Sequence, residues 1–215
     1  MNVDYAKIQE EIRSARSEPR SKTWQLDPAQ LIELSANEVA EGIRTHKISS
    51  EEAVVAFLER ICAVNPTLNA VVTIDAKAAL QRAREADIAI ANDLTWGPLH
   101  GVPFTIKDTY KTKGLRTTAG YLPLANYVPT ENSVVVQRLI HAGAILMGKT
   151  NTPSLAMDMQ TTNSVFGTTV NVFNPELTAG GSSGGSSVAV AARMTPFDFG
   201  TDLAGSIRVP AAFNG

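Results

Sequence analysis

The residues best suited to chemistry in this 215-residue chain are serines in a glycine-rich stretch and a lysine at the end of an apolar run. GGSSGG, from Gly180 to Gly185, fits the G-x-S-x-G nucleophile elbow on Ser182 and again on Ser183, a turn that presents a serine hydroxyl for attack on an acyl group. Such a serine needs a base. In elbow hydrolases the chain order is serine, acid, histidine, but His46, His100 and His141 all precede residue 180. A lysine kept neutral by burial or a positive neighbour can serve instead. Of eight lysines, those at 7, 22, 47, 77, 111 and 113 sit in charged or loop contexts, and Lys149 follows an apolar strand. Lys107 differs: it ends Val-Pro-Phe-Thr-Ile, where a central strand delivers side chains to the carboxyl edge of a sheet. Taken alone, a strand-end lysine packs more often than it reacts.

Two other chemistries are weaker. GAILMGKT, from Gly143 to Thr150, matches the P-loop letter for letter, with Lys149 and Thr150 in the phosphate and magnesium positions. A P-loop needs a strand before its first glycine and a pliable backbone after it. Here a helix is expected first, and Ala-Ile-Leu-Met between the glycines reads as the strand itself. The three histidines stand far apart, with no HExxH or Cys/His cluster, so no metal or cofactor is expected. Cys62 falls on an apolar helical stripe and is expected only to pack.

The elements that must hold these residues alternate between helix and strand. Ser35 with Glu38 and Ser49 with Glu52 are capping boxes that open helices. Val54, Leu58, Ile61 and Cys62 share one face of the second, which Asn65 and Pro66 are expected to stop. Val71 to Ile74 reads as a strand, Ala76 to Asn92 as a helix, GVPFTIKD as a strand with Val102, Phe104 and Ile106 on one face, Val134 to Ala142 as a helix, and Ala144 to Met147 as a further buried strand. VAVAA predicts a buried helix with Ser187 near its cap. The fold class is therefore α/β with a mixed sheet. Residues 1–30 are expected to form a helical arm and 31–215 part of one α/β domain.

With 19 Lys+Arg against 21 Asp+Glu, the chain has no basic field for nucleic acid, and 44% hydrophobic residues suit a globular protein. No run approaches the roughly 18 apolar residues of a membrane span. A single cysteine and a charged N-terminal stretch point to a cytoplasmic setting. Residues 1–60 carry 19 charged side chains, whereas 177–215 carry only Arg193, Asp198, Asp202 and Arg208. So uncharged a segment is expected inside a larger body, reached by a missing C-terminal portion or by homo-oligomerisation.

GVPFTIKDTYKTKG (101–114), TNTPSLAMD, SVFGTTVNVFNPELT and AGGSSGGSSVAVAARMTPFDFGTDLAGSIRVPAAFNG together resemble the amidase signature family over about residues 30–215. The resemblance implies a large mixed sheet covered on both faces by helices, extending beyond this chain. It also implies a Ser-cisSer-Lys triad at Ser206, Ser182 and Lys107, with no cofactor and a small amide as substrate. Ser206 would then attack a carbonyl, Ser182 would relay its proton to neutral Lys107, and water would release the acyl-enzyme. Backbone N–H groups of Leu203, Ala204, Gly205 and Ser206 are the oxyanion-hole candidates. Asp202 and Arg208 are expected to pair and hold this turn as buried charges, and Ser183 to steady Ser182. One departure from the family pattern is Ala204, where a glycine is usual; at positive φ an alanine would cost about 1 kcal/mol. An amidotransferase component that makes ammonia from glutamine, and a truncated inactive copy, are the alternatives.

Overall fold

The computed structural model describes residues 3–17 and 26–215. In chain order the elements are α1 (Tyr5–Ser17), α2 (Pro28–Leu31), α3 (Ala36–Arg44), α4 (Ser50–Leu68), β1 (Val71–Ile74), α5 (Ala76–Ala91), β2 (Pro103–Lys107), α6 (Val134–His141), β3 (Ile145–Thr150), β4 (Thr162–Asn163), β5 (Gly167–Thr168), α7 (Gly184–Ala191), β6 (Asp198–Phe199) and α8 (Arg208–Asn214). Both capping boxes form: Ser35 and Ser49 accept the N–H of Glu38 and Glu52, whose carboxylates take the serine N–H in return. The expected arm over 1–30, like Lys22, falls partly outside the described residues. Its described part, α1, buries Ile8, Ile12 and Ala15 in the same core as α4 and α5.

Pro66 does not stop α4. The helix runs through it to Leu68 and ends at Asn69, whose left-handed backbone (φ 51°, ψ 44°) turns the chain. A proline this near the last turn removes only one backbone hydrogen bond, a loss that tertiary contacts absorb. Asn65 acts as a latch: its side chain accepts the N–H groups of Ala70 and Val71 and donates to the Val71 carbonyl. Cys62 is only half-buried at the core's margin, its thiol pushed up to about 11 by burial and then by Glu59.

The four-stranded sheet has the order β1-β3-β2-β6, with β1 antiparallel to β3 and the other pairs parallel. Apolar cores lie on both faces. On one side Ile145 and Met147 meet α4, α5 and α7; on the other Phe104, Ile106 and Ala144 meet Val136 and Leu139 of α6. The β2–β3 register slips between Phe104 and Thr105, so Ile106 lies beside Lys149 and Lys107 beside Thr150. Because side chains alternate with period two, that slip reverses the faces of the strand's last residues.

The expected helix cap at Ser187 moves. α7 begins at Gly184, so Ser187 lies inside it and donates to the Pro210 carbonyl at 2.7 Å. Gly184 and Gly185 permit close packing: a Cβ at Gly185 would stand 2.3 Å from the Asn151 nitrogen. The weakly charged segment also divides. Gly180 to Ser186 are buried, whereas Leu203, Ile207 and Phe213 are exposed.

Candidate active site

Strand β2 brings Lys107 to the carboxyl edge of the sheet with none of its surface exposed. Its Nζ donates to Ser182 Oγ at 2.6 Å, Thr201 Oγ1 at 2.8 Å and Ser183 Oγ at 2.9 Å. An ammonium has three hydrogens, and three hydroxyls receive them. Burial pushes the Lys107 ammonium down to about 8, against the opposing pull of Asp198 and Asp202. A lysine so placed keeps its charge weakly at neutral pH.

The serines reach Lys107 because the loop before α7 is tied at both ends. Thr161 Oγ1 donates to the Gly180 carbonyl at 2.8 Å and accepts the Gly184 N–H at 3.1 Å. Between them the Gly181–Ser182 peptide is cis. Ser183 joins this loop to the next: its Oγ donates to the Thr201 carbonyl, and its N–H donates to the Ser206 carbonyl at 3.0 Å. Ser206 therefore stands beside the cluster through its backbone. Its half-buried side chain makes no hydrogen bond among the described residues.

The turn from Asp202 to Arg208 is organised by one carboxylate. Asp202 accepts the N–H of Gly205 at 2.7 Å, of Ile207 at 3.1 Å and of Arg208 at 3.2 Å, and receives two further hydrogen bonds from the Arg208 guanidinium. That guanidinium, then the Gly205 N–H, holds Asp202 far below the usual carboxylate range. The pair forms as expected, yet it is not buried: the Arg208 side chain is 74% exposed. Of the four oxyanion candidates, Gly205 has its N–H committed to Asp202. Those of Leu203, Ala204 and Ser206 have no acceptor among the described residues. Ala204 is not at positive φ; Gly205 takes that conformation, at 115°, where glycine suffers no steric penalty.

Residues that spacing did not single out complete the site. Thr201 carries the third hydroxyl on Lys107, and Asp198 is a buried carboxylate on β6 bonded to Thr105 and Thr150. Lys149 does not follow the apolar strand as expected. It belongs to β3, fully buried, with Asp108 at 3.3 Å and hydrogen bonds to the Tyr110 carbonyl and Thr117. The P-loop match is thus strand, as its apolar filling implied, and a Cβ on Gly148 would meet the Thr73 carbonyl oxygen at 2.3 Å. His100 is buried, accepting the Trp96 N–H and sitting 3.0 Å from the Ala86 carbonyl; His46 and His141 are exposed. Among the described residues no three of His, Cys, Asp and Glu are grouped to hold a metal ion, and no helix is long and apolar enough to cross a membrane.

A protein-family model described as Amidase matches residues 52–215, a span that holds every residue of the lysine and serine cluster. The chain belongs to the amidase family. This amidase-family chain is 44% identical over 185 residues to one component of the glutamyl-tRNA(Gln) amidotransferase of Acidothermus cellulolyticus, a match that covers 86% of the chain and 37% of that protein. It is equally 44% identical over 182 residues to an acylamidase of Rhodococcus erythropolis, covering 85% of the chain and 38% of the relative. The solved structure of a fatty acid amide hydrolase superimposes with a TM-score of 0.84 at 28% identity, over 98% of this chain and 42% of that one. The chain therefore spans well under half the length of these relatives.

Proposed function

We propose that this chain carries the catalytic residues of an amidase that hydrolyses a small carboxamide through a serine acyl-enzyme. The observation that carries the reading is the convergence of Ser182, Ser183 and Thr201 on buried Lys107. Lys107 as free amine accepts the Ser182 hydroxyl proton, Ser182 takes the proton of Ser206, and Ser206 Oγ attacks the carbonyl carbon. The carbonyl oxygen gains negative charge, for which the free N–H groups of the 203–206 turn are the donors. Collapse of the adduct, with Lys107 returning its proton through Ser182, expels ammonia or an amine. Water then attacks the ester by the same relay and frees Ser206.

A serine-reactive fluorophosphonate followed by peptide mapping tests the assignment. Label on the GTDLAGSIR peptide supports Ser206 as nucleophile; label confined to GGSSGGSS transfers that role to Ser182 or Ser183. A second reading is a glutaminase that feeds ammonia to a partner protein, supported by the likeness to the amidotransferase component. Glutamine hydrolysis stimulated by a partner, against hydrolysis of simple amides alone, separates the two. The single cysteine supports a cytoplasmic setting.

A further inference from the structure

Asp198 stands across from Thr105 in the β2–β6 pairing, two residues before Lys107 and on the same face of the sheet. The residue lies at the sheet edge and is partly exposed as a whole, yet its carboxylate points inward. Oδ2 accepts from Thr105 at 2.7 Å and from Thr150 at 3.1 Å, and Oδ1 is buried without a hydrogen bond, with Ser186 nearby. The charged and titratable groups that interact with it are Lys107 and Tyr110 from β2 and the turn after it and Lys149 from β3; α7 contributes none, and Asp202, from the loop after β6, acts on Lys107. Lys149 already faces Asp108. That leaves Lys107 and Asp198 as the remaining cation and anion of a buried group of four.

A buried anion without a cation is costly, so each of the two charges favours the other. Lys107 gives all three hydrogens to hydroxyls, and Asp198 takes its hydrogen bonds from threonines. Their interaction is therefore one of charge and not of direct contact. We propose that Asp198 is the counter-ion of Lys107, a positioning residue that sets how readily the lysine gives up its proton and that stabilises the ammonium formed when Lys107 draws a proton from Ser182. Burial pushes the Lys107 ammonium down and the Asp198 carboxyl up, and each charge opposes that shift in the other. Its bearing on rate rests on the role proposed for Lys107 above, whereas its electrostatic content does not.

The test reads Lys107 directly. In the full 215-residue chain with 13Cε-labelled lysine, the resonance lost in Lys107→Met identifies Lys107, and its titration midpoint is followed by NMR. Asp198→Asn and Asp198→Ser are expected to lower that midpoint by about one unit, raising the free-amine fraction at pH 7 about fivefold, while the charge-retaining Asp198→Glu restores it toward wild type. An unmoved or raised midpoint in either folded neutral variant overturns the proposal. Fluorophosphonate labelling of the same samples keeps the outcomes apart: loss of Ser206 labelling in the wild type sinks the amidase reading and leaves the titration result intact.

Discussion

Lys107 sits in its site at a cost to the fold. Its folded-state value is about 8 against an ordinary 10.5. Below pH 8 both folded and unfolded chains hold the proton, and the folded state bears the whole penalty of burying it. Between 8 and 10.5 the folded state binds fewer protons, so stability rises with pH, and above 10.5 the difference is gone. Lys107→Met is therefore expected to be more stable than wild type at pH 7, by about 3 kcal/mol, with the gap closing by pH 10.5 in urea melts. The same variant should lose serine labelling. In the wild type, labelling should rise with pH through about 8, because only the free amine accepts a proton. Ser182→Ala should slow labelling at least about 100-fold yet leave it on Ser206, since removing a relay does not move the nucleophile. Lys107 was legible in the sequence because a lysine closing an apolar run is anomalous. Thr201 and Asp198 were not: a threonine beside glycine and a lone aspartate carry no local signal, and only strand pairing brings them to the lysine.

Elements were more readable than their ends. Capping boxes mark the starts of α3 and α4, a short apolar run marks β1 and alternation of apolar residues marks β2, because these signals lie within a few residues of one another. Replacing Ser49 by Ala should cost about 1 kcal/mol, measured as a lower urea midpoint with unchanged slope. Two misreadings have a shared origin in tertiary contact. Pro66 continues α4 because Asn65 anchors the helix end to β1, and the glycines read as loop before VAVAA are the first turn of α7 because the helix lies against Asn151 and Ala70. Gly185→Ala should accordingly cost about 1–3 kcal/mol by overpacking, although alanine is the better helix former; a neutral or stabilising effect in the same melts would show α7 to be less closely seated. The face of Lys149 was likewise hidden, because the slip in the β2–β3 register reverses a count made along the strand alone.

At the scale of the molecule, charge and apolar surface are segregated. Charged residues crowd the first helices, while Leu203, Met157 and Phe173 are 98%, 83% and 74% exposed in loops. Exposed apolar side chains on this scale mark a surface suited to cover. The 215-residue chain is expected to bind an apolar-surface dye and to sediment faster than a monomer, and the combined Met157→Gln, Phe173→Ser and Leu203→Ser variant to do both less. Equal dye binding by that variant would place the sticky surface elsewhere. The fold class follows from sequence pattern because each helix and strand declares its own periodicity. The scarcity of charge after residue 177 foreshadowed only the part of this surface at Leu203, since Met157 and Phe173 precede that segment.

The carboxylate of Asp202 divides the backbone amides of one short turn into two populations. Gly205, Ile207 and Arg208 give their N–H groups to an anion held ionised far into acid, while Leu203 and Ala204 keep theirs free. Deuterium exchange should resolve that split within a single loop, with slow amides at 205, 207 and 208 beside fast ones at 203 and 204. A transition-state analogue seated on Ser206 should then slow the fast amides alone, since the others already have their acceptor.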